Sequence, residues 1–301
     1  MPENTLEGTV EIIFKFQAAM SAVFGGIDFT PIADGVVHRF HVPGDAKGSQ
    51  NGWYVLFAGP ITAGVFGSWK LGQTHHWNNR NKPFNADEIR LAQQQAAIAK
   101  QQREKEKACQ QERAADEALT LWASASQASV HHPYLHAKQV LPHQLRQSGN
   151  ELLVPIFHDD ELVNLQRISL LGSKRFLRGG RITGCYSPLG SFDGTDLVYV
   201  CEGWATGATI HESSGHPVAC ALNAGNLKQA ALAIRGRYPA AEIIIAGDDD
   251  RRTIGNPGRS AAIAAALAVD GKVAFPVWPN GAPAHLTDFN DLARWSFVHE
   301  Q

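Results

Sequence analysis

The chain has 301 residues, a formal net charge of −2 and 44% hydrophobic residues. That length accommodates two or three small domains, and that composition excludes a wholly disordered chain. A balance so near zero gives no bulk attraction to a polyanion, so any basic surface must be local. The four cysteines, Cys109, Cys185, Cys201 and Cys220, form no C-x-x-C pair, which argues against a zinc ribbon. No G-x-x-x-x-G-K-[ST] run is present, so no P-loop motor is evident. We read no signal peptide and no apolar run of membrane-spanning length, and expect a cytoplasmic protein without a membrane partner.

Residues 1–84 read as a small α+β domain. Val10–Phe24 has the pattern of an amphipathic helix ending near Gly25–Gly26. Val36–Val42, Trp53–Ala58 and Ala63–Trp69 read as short strands joined by Gly-rich turns. The segment carries Phe40, Trp53, Tyr54, Phe57, Phe66, Trp69 and Trp77, with Arg39, Lys47, Lys70 and Arg80 among them. These aromatics read as the core of a small domain; the alternative is a stacking platform for a single strand. His75–His76 lacks partner ligands at metal spacing and reads as a solvated loop.

Residues 85–130 read as a long helix, Asn85–Ser126, opened by Asn85 and Glu88 in a capping-box-like arrangement. Its apolar positions are too sparse for a heptad seam, so it reads as a solvated spacer. Leu119, Leu121 and Trp122 predict that its end docks on the next unit.

Residues 131–194 form a basic subdomain. Leu152–Phe157 and Leu162–Leu171 read as strands around a turn at His158–Asp160. From Arg167 to Arg181 there are five cations, Arg167, Lys174, Arg175, Arg178 and Arg181, and no acid. Such a run is often only a solvated face. Here it directly precedes the acidic segment, where phosphates held near a metal would need cationic contacts.

Residues 195–301 alternate strand and helix, which argues a parallel sheet with right-handed crossovers. Leu197–Cys201, Pro217–Leu222, Glu242–Ala246 and Lys272–Val277 read as strands. Gly207–Ser214, Leu227–Tyr238 and Pro257–Val269 read as helices, with Asn223–Asn226 as a loop. Acidic residues follow three of the apolar runs: Glu202 in LVYVCEGWATGA, Asp248–Asp250 in IIIAGDDD, and Asp288 and Asp291 in TDFNDL. Each acid alone could be a helix cap or a turn former. Three clusters at strand ends should converge on one sheet edge, where open α/β folds bind ligands. Carboxylates without Cys or His beside them suit a hard divalent cation. The loop Asn256–Arg259 opens a helix whose first N–H groups could meet a phosphate. Arg259 joins Arg167, Lys174 and Arg175 as an expected nucleotide or template contact.

EGWATG, AGDDD and TDFNDL together resemble the Toprim domain of DnaG-type primases, topoisomerases and some nucleases. The resemblance implies that Glu202, Asp248 and Asp250 are catalytic and that these three with Asp288 hold Mg²⁺ or Mn²⁺. In the family a second acid usually stands where Thr206 is, and often another where Asn290 is. The basic block resembles the subdomain that precedes Toprim in such primases, through Val154–Pro155–Ile156, Arg167 and Lys174–Arg175–Phe176–Leu177. The implied protein is a plasmid, phage or mobile-element primase. It would copy single-stranded DNA with nucleoside triphosphates beside a replicative helicase in trans. A Toprim nuclease and a non-catalytic single-strand-binding accessory are the alternatives.

Overall fold

In the computed structural model the chain divides into two compact units, Met1–Gln102 and Arg103–Gln301. The described residues are 4–46, 48–57, 62–79 and 86–299; Lys47, Arg80 and Asn85 lie outside them.

In the first unit, helix α1 (Asn4–Phe24) precedes an antiparallel sheet ordered β1 (His38–Phe40), β2 (Gly52–Phe57), β3 (Ala63–Ser68) and β4 (Gln73–Asn78). Alternation along each strand decides what is buried. Phe40, Tyr54, Leu56 and Phe66 close a core with Phe16, Met20 and Phe24 of α1, and Trp77 packs against it. Gly64 makes room for this contact, since a Cβ there would stand 2.3 Å from the Phe16 ring. Trp53, Phe57 and Trp69 do not join the core; Phe57 and Trp69 are 44% and 50% exposed. Strand β4 corrects the reading of His75–His76 as a loop. His75 takes a core-facing position and stacks on Phe66, ring centroids 5.3 Å apart. A half-buried histidine on the core-facing side hides the alternation that marks a strand.

Helix α2 (Ala86–Ser124) continues into the second unit. There Ala118, Leu121 and Trp122 pack with Leu153, Leu162, Leu165 and Leu177. Leu119 does not dock as expected and is 52% exposed, because it falls beside the stripe of residues 118, 121 and 122.

A second antiparallel sheet follows chain order through β5 (Ser126–Gln127), β6 (Arg146–Ser148), β7 (Glu151–His158), β8 (Glu161–Ile168) and β9 (Lys174–Phe176). The short helix α3 (Pro133–Lys138) lies between β5 and β6. Strand β6 stops opposite Leu153, so Pro155 of β7 interrupts no ladder on that edge.

The third sheet is built from β10 (Ser187–Leu189), β11 (Leu197–Cys201), β12 (Val218–Cys220), β13 (Glu242–Ala246) and β14 (Lys272–Ala274), in the order β10-β12-β11-β13-β14. Strands β12, β11, β13 and β14 are parallel, as expected. The edge strand β10 is antiparallel and was not expected; three residues centred on Pro188 carry no periodic signal. Helices α4 (Trp204–Ser214), α5 (Ala224–Arg237), α6 (Pro257–Val269) and α7 (Phe289–His299) complete the unit. Helix α5 begins within the segment read as a loop, because Asn223 caps it by accepting from Asn226 N.

The two sheets of this unit share one core. Leu152, Val154, Ile156 and Ile168 of the antiparallel sheet are buried in the same cluster as Trp204, Ala208, Cys220 and Leu222. From β11 the chain passes to β12 on one side, then returns to β13 on the other. That reversal opens a crevice at the C-terminal ends of β11 and β13.

Candidate functional site

Strands β11 and β13 pair in parallel with Cys201 opposite Ala246, so Glu202 and Asp248 leave the sheet at one edge. The third acidic segment is tied in by the main chain: Asp249 N donates to Thr287 O at 2.8 Å. Asp288 caps the start of α7, its Oδ1 accepting from Asp291 N at 2.8 Å, while Asp291 Oδ2 accepts from Thr287 N at 3.2 Å. The capping role and the convergence on one edge therefore coexist at Asp288.

The electrostatics show how closely these groups meet. Asp248 is pushed up to about 8, first by burial, then by Asp288, Glu202, Asp250 and Asp291. Its Oδ1 is buried without a hydrogen-bond partner. Burial also raises Glu202, with Asp250 adding to the effect; Lys174 and the Ala224 N–H oppose it. Lys174 faces the cluster from β9. Burial and then Lys138 pull its ammonium down, against Asp288, Glu202 and Asp248. Lys174 is exposed at the start of β9, on the face it shares with Ile168.

The three consecutive aspartates play different parts. Asp249 is buried and accepts from Asn256 Nδ2 at 2.7 Å, Arg259 Nη1 at 3.1 Å and Trp278 Nε1 at 3.1 Å. Burial alone would raise its pKa, but these donors outweigh it and hold the carboxylate low. Asp250 Oδ2 accepts from Gly258 N at 2.8 Å, and Asn256 Oδ1 accepts from Arg259 N at 3.2 Å. The first-turn N–H groups of α6, expected to be open to a phosphate, are thus already taken. Arg259 itself is paired with Asp249 and lies 4.0 Å from the Phe275 ring centre.

The basic block divides by the pleat. Lys174 stands opposite Ile168, whereas Arg175 stands opposite Arg167, so the two arginines share the other face of the hairpin. Arg167 donates from Nε to Glu151 Oε2 at 2.7 Å. Of the expected cationic contacts, the structure brings Lys174 to the acidic edge and leaves Arg167 and Arg175 behind it.

Residues 197–296 match the Toprim domain family. This part of the chain is a Toprim domain. The chain is also 33% identical over 273 residues to DNA primase TraC of Escherichia coli, covering 87% of this chain and 19% of that protein. A second DNA primase TraC from Escherichia coli is 33% identical over 266 residues, covering 85% and 25%. The chain therefore spans about a fifth to a quarter of the length of these curated relatives. A solved complex of bacteriophage T7 lagging-strand DNA polymerase with primase domains on an RNA/DNA hybrid aligns at 16% identity and a TM-score of 0.40, over 58% of this chain and 88% of that one.

Toprim domains generally bind divalent metal ions. Among the described residues, no three His, Cys, Asp or Glu side chains are already gathered to hold one. The donor set nevertheless fits such an ion: hard carboxylate oxygens whose charges act on one another, one of them buried without a partner. The departures from the family pattern are structural. Thr206 is buried in α4 at 2% exposure. Asn290, 1% exposed, donates to Lys138 O at 2.7 Å and Thr209 Oγ1 at 2.9 Å, tying α7 to α3 and α4.

Sequence reasoning missed two groups on α3. Tyr134 has a buried hydroxyl without a hydrogen-bond partner, and its pKa is raised by burial and then by Asp288. Lys138 Nζ lies 3.7 Å from Asp291 Oδ1. They are four residues apart on one helix face, the only signal available in sequence.

Proposed function

We propose that this chain is the catalytic part of a DNA primase, extending oligonucleotides on single-stranded DNA from nucleoside triphosphates. The observation that carries the reading is the edge where Glu202, Asp248, Asp250 and Asp288 meet opposite Lys174, with Asp248 Oδ1 buried and unpartnered. The likeness to two proteins named DNA primase TraC supports it.

On this reading Glu202, Asp248, Asp250 and Asp288 hold Mg²⁺ or Mn²⁺, which supplies neutralisation of the charge on the transferred phosphoryl group. Lys174 contacts a triphosphate oxygen at the mouth of the site, a charge-assisted bond. Glu202, at the end of β11, would also accept the proton of the attacking 3′-hydroxyl. Asp249 positions the loop and touches no substrate. Arg175 remains available to the template strand, while Arg167 and Arg259, each paired with a carboxylate, take no part. A replicative helicase acting in trans supplies the template.

The test is incubation of the protein with single-stranded DNA, labelled nucleoside triphosphates and Mg²⁺, resolved on a denaturing gel. Short template-dependent products that vanish with EDTA and in Asp250→Asn are expected. Cleaved template without new product would replace this reading with a nuclease.

A further inference from the structure

The free face of the first unit's sheet carries side chains that its core does not use. We infer that this face, through Trp53, Trp69 and Arg39, is a base-stacking site for single-stranded nucleic acid; the choice of occupant rests on the primase reading. Alternation places Arg39 and Trp53 opposite each other across β1 and β2, on the side away from Phe40, Tyr54 and Leu56. Trp69, just after β3, leans over the same face. Its ring centroid lies 5.7 Å from that of Trp53, and the Arg39 guanidinium carbon stands 4.6 Å from the Trp69 ring centre. The residue opposite Trp53 on β3 is Gly67, where a Cβ would come within 3.0 Å of the Trp53 indole, so the sheet leaves that ring space to lie across it.

The chemistry favours a nucleic acid over an apolar protein partner. Half of Trp69 is exposed, and Arg39 is exposed with no carboxylate partner among the described residues. The nearby acids are already engaged: Asp34 with His38 at 3.0 Å, and Asp45 with Lys70 and Asn51. What remains is two partly exposed indoles and a guanidinium lying over one of them, without a carboxylate partner among the described residues, the combination that stacks bases and meets a phosphate. Every base has a π-face, so the site would tolerate sequence and prefer unpaired strands.

The experiment uses the full chain in EDTA, so that binding is read without synthesis. Fluorescence polarisation of a labelled oligothymidylate gives the affinity, and Trp emission reports stacking by quenching. Trp69→Ala and Trp53→Ala are each expected to weaken binding about five- to a hundredfold, from the range for one stacked base. Trp69→Phe should recover most of the loss. Arg39→Ala should lower the slope of log K against log[salt] by about 0.7. Circular dichroism confirms that each variant is folded. Wild-type affinity in folded Trp53→Ala and Trp69→Ala, or equal affinity for duplex DNA, would overturn the inference. The two readings fail separately. Trp-dependent binding by a protein that makes no primer leaves the platform standing and removes the primase. Primer synthesis with binding indifferent to both tryptophans does the reverse.

Discussion

Asp248 and Asp249 are neighbours in sequence and opposites in chemistry. Asp248 is starved of partners and holds its proton to about 8; Asp249 has three donors and never needs one. For Asp248 the folded pKa exceeds the ordinary value of 3.8, so the metal-free fold binds a proton that the unfolded chain releases. Its stabilising effect is therefore full at low pH and is lost as pH rises towards about 8. In EDTA, Asp248→Asn should melt above wild type at pH ~8.5 and lose that advantage at pH ~4. The same variant should make no primer. Asp249→Ala should cost about 1–2 kcal/mol in a urea melt, because it leaves the half-buried Asn256 and Trp278 donors unpaired, while the exposed Arg259 guanidinium can turn to water. The acids that follow β11 and β13 were legible as strand ends, but Asp288 was misplaced by that rule: residues 275–287 form no strand, and Asp288 opens α7. The division of labour inside Asp248–Asp250 was not legible, since it depends on Asn256 and Trp278, which come from later segments. Lys174 and Arg175 are equally opaque in sequence and are separated only by the pleat. Lys174→Ala should weaken nucleotide or template binding and lower its salt slope by about 0.7 on a single strand, whereas Arg175→Ala should spare nucleotide affinity.

At the scale of elements, helix α6 is held against the acidic loop by the absence of a side chain. A Cβ on Gly258 would stand 2.8 Å from Asp248 O and 2.9 Å from Asp250 Oδ2. One of those atoms is backbone and cannot swing away. Gly258→Ala should therefore push α6 off the loop, costing about 1–3 kcal/mol in stability and most of the synthesis. A variant with unchanged melting and wild-type product would show that the loop adapts. Helix α6 itself was readable to its last residue, because Pro257 marks its first turn and an apolar run fills it. Strands β4 and β10 were not readable: one turns a half-buried histidine towards the core, and the other is three residues around a proline.

In the second unit the basic sheet and the Toprim sheet are one hydrophobic object. Leu152 is fully buried in the cluster that also contains Trp204 and Cys220. Leu152→Ala should cost about 2–5 kcal/mol and lower the melting of both sheets together. Separate transitions, followed by far-UV circular dichroism and by Trp204 fluorescence, would show that the sheets fold apart. Composition and motif order suggested a basic segment followed by an acidic one. They could not show a shared core, because continuous apolar runs such as LLVPIF do not say what they pack against.

The hydrogen bond from Asp249 N to Thr287 O has a consequence for when the site comes into being. Its acids are drawn from three stretches of chain, and Thr287 belongs to the last. Contacts between distant segments form late, since the loop between them must first be closed. During synthesis on the ribosome, the sheet strands can pair before that tether exists. We expect a chain arrested ahead of Thr287 to gain much of its secondary structure while Glu202 and Asp248 still lack Asp288. Catalytic competence would then arrive as a final step, after the fold it depends on.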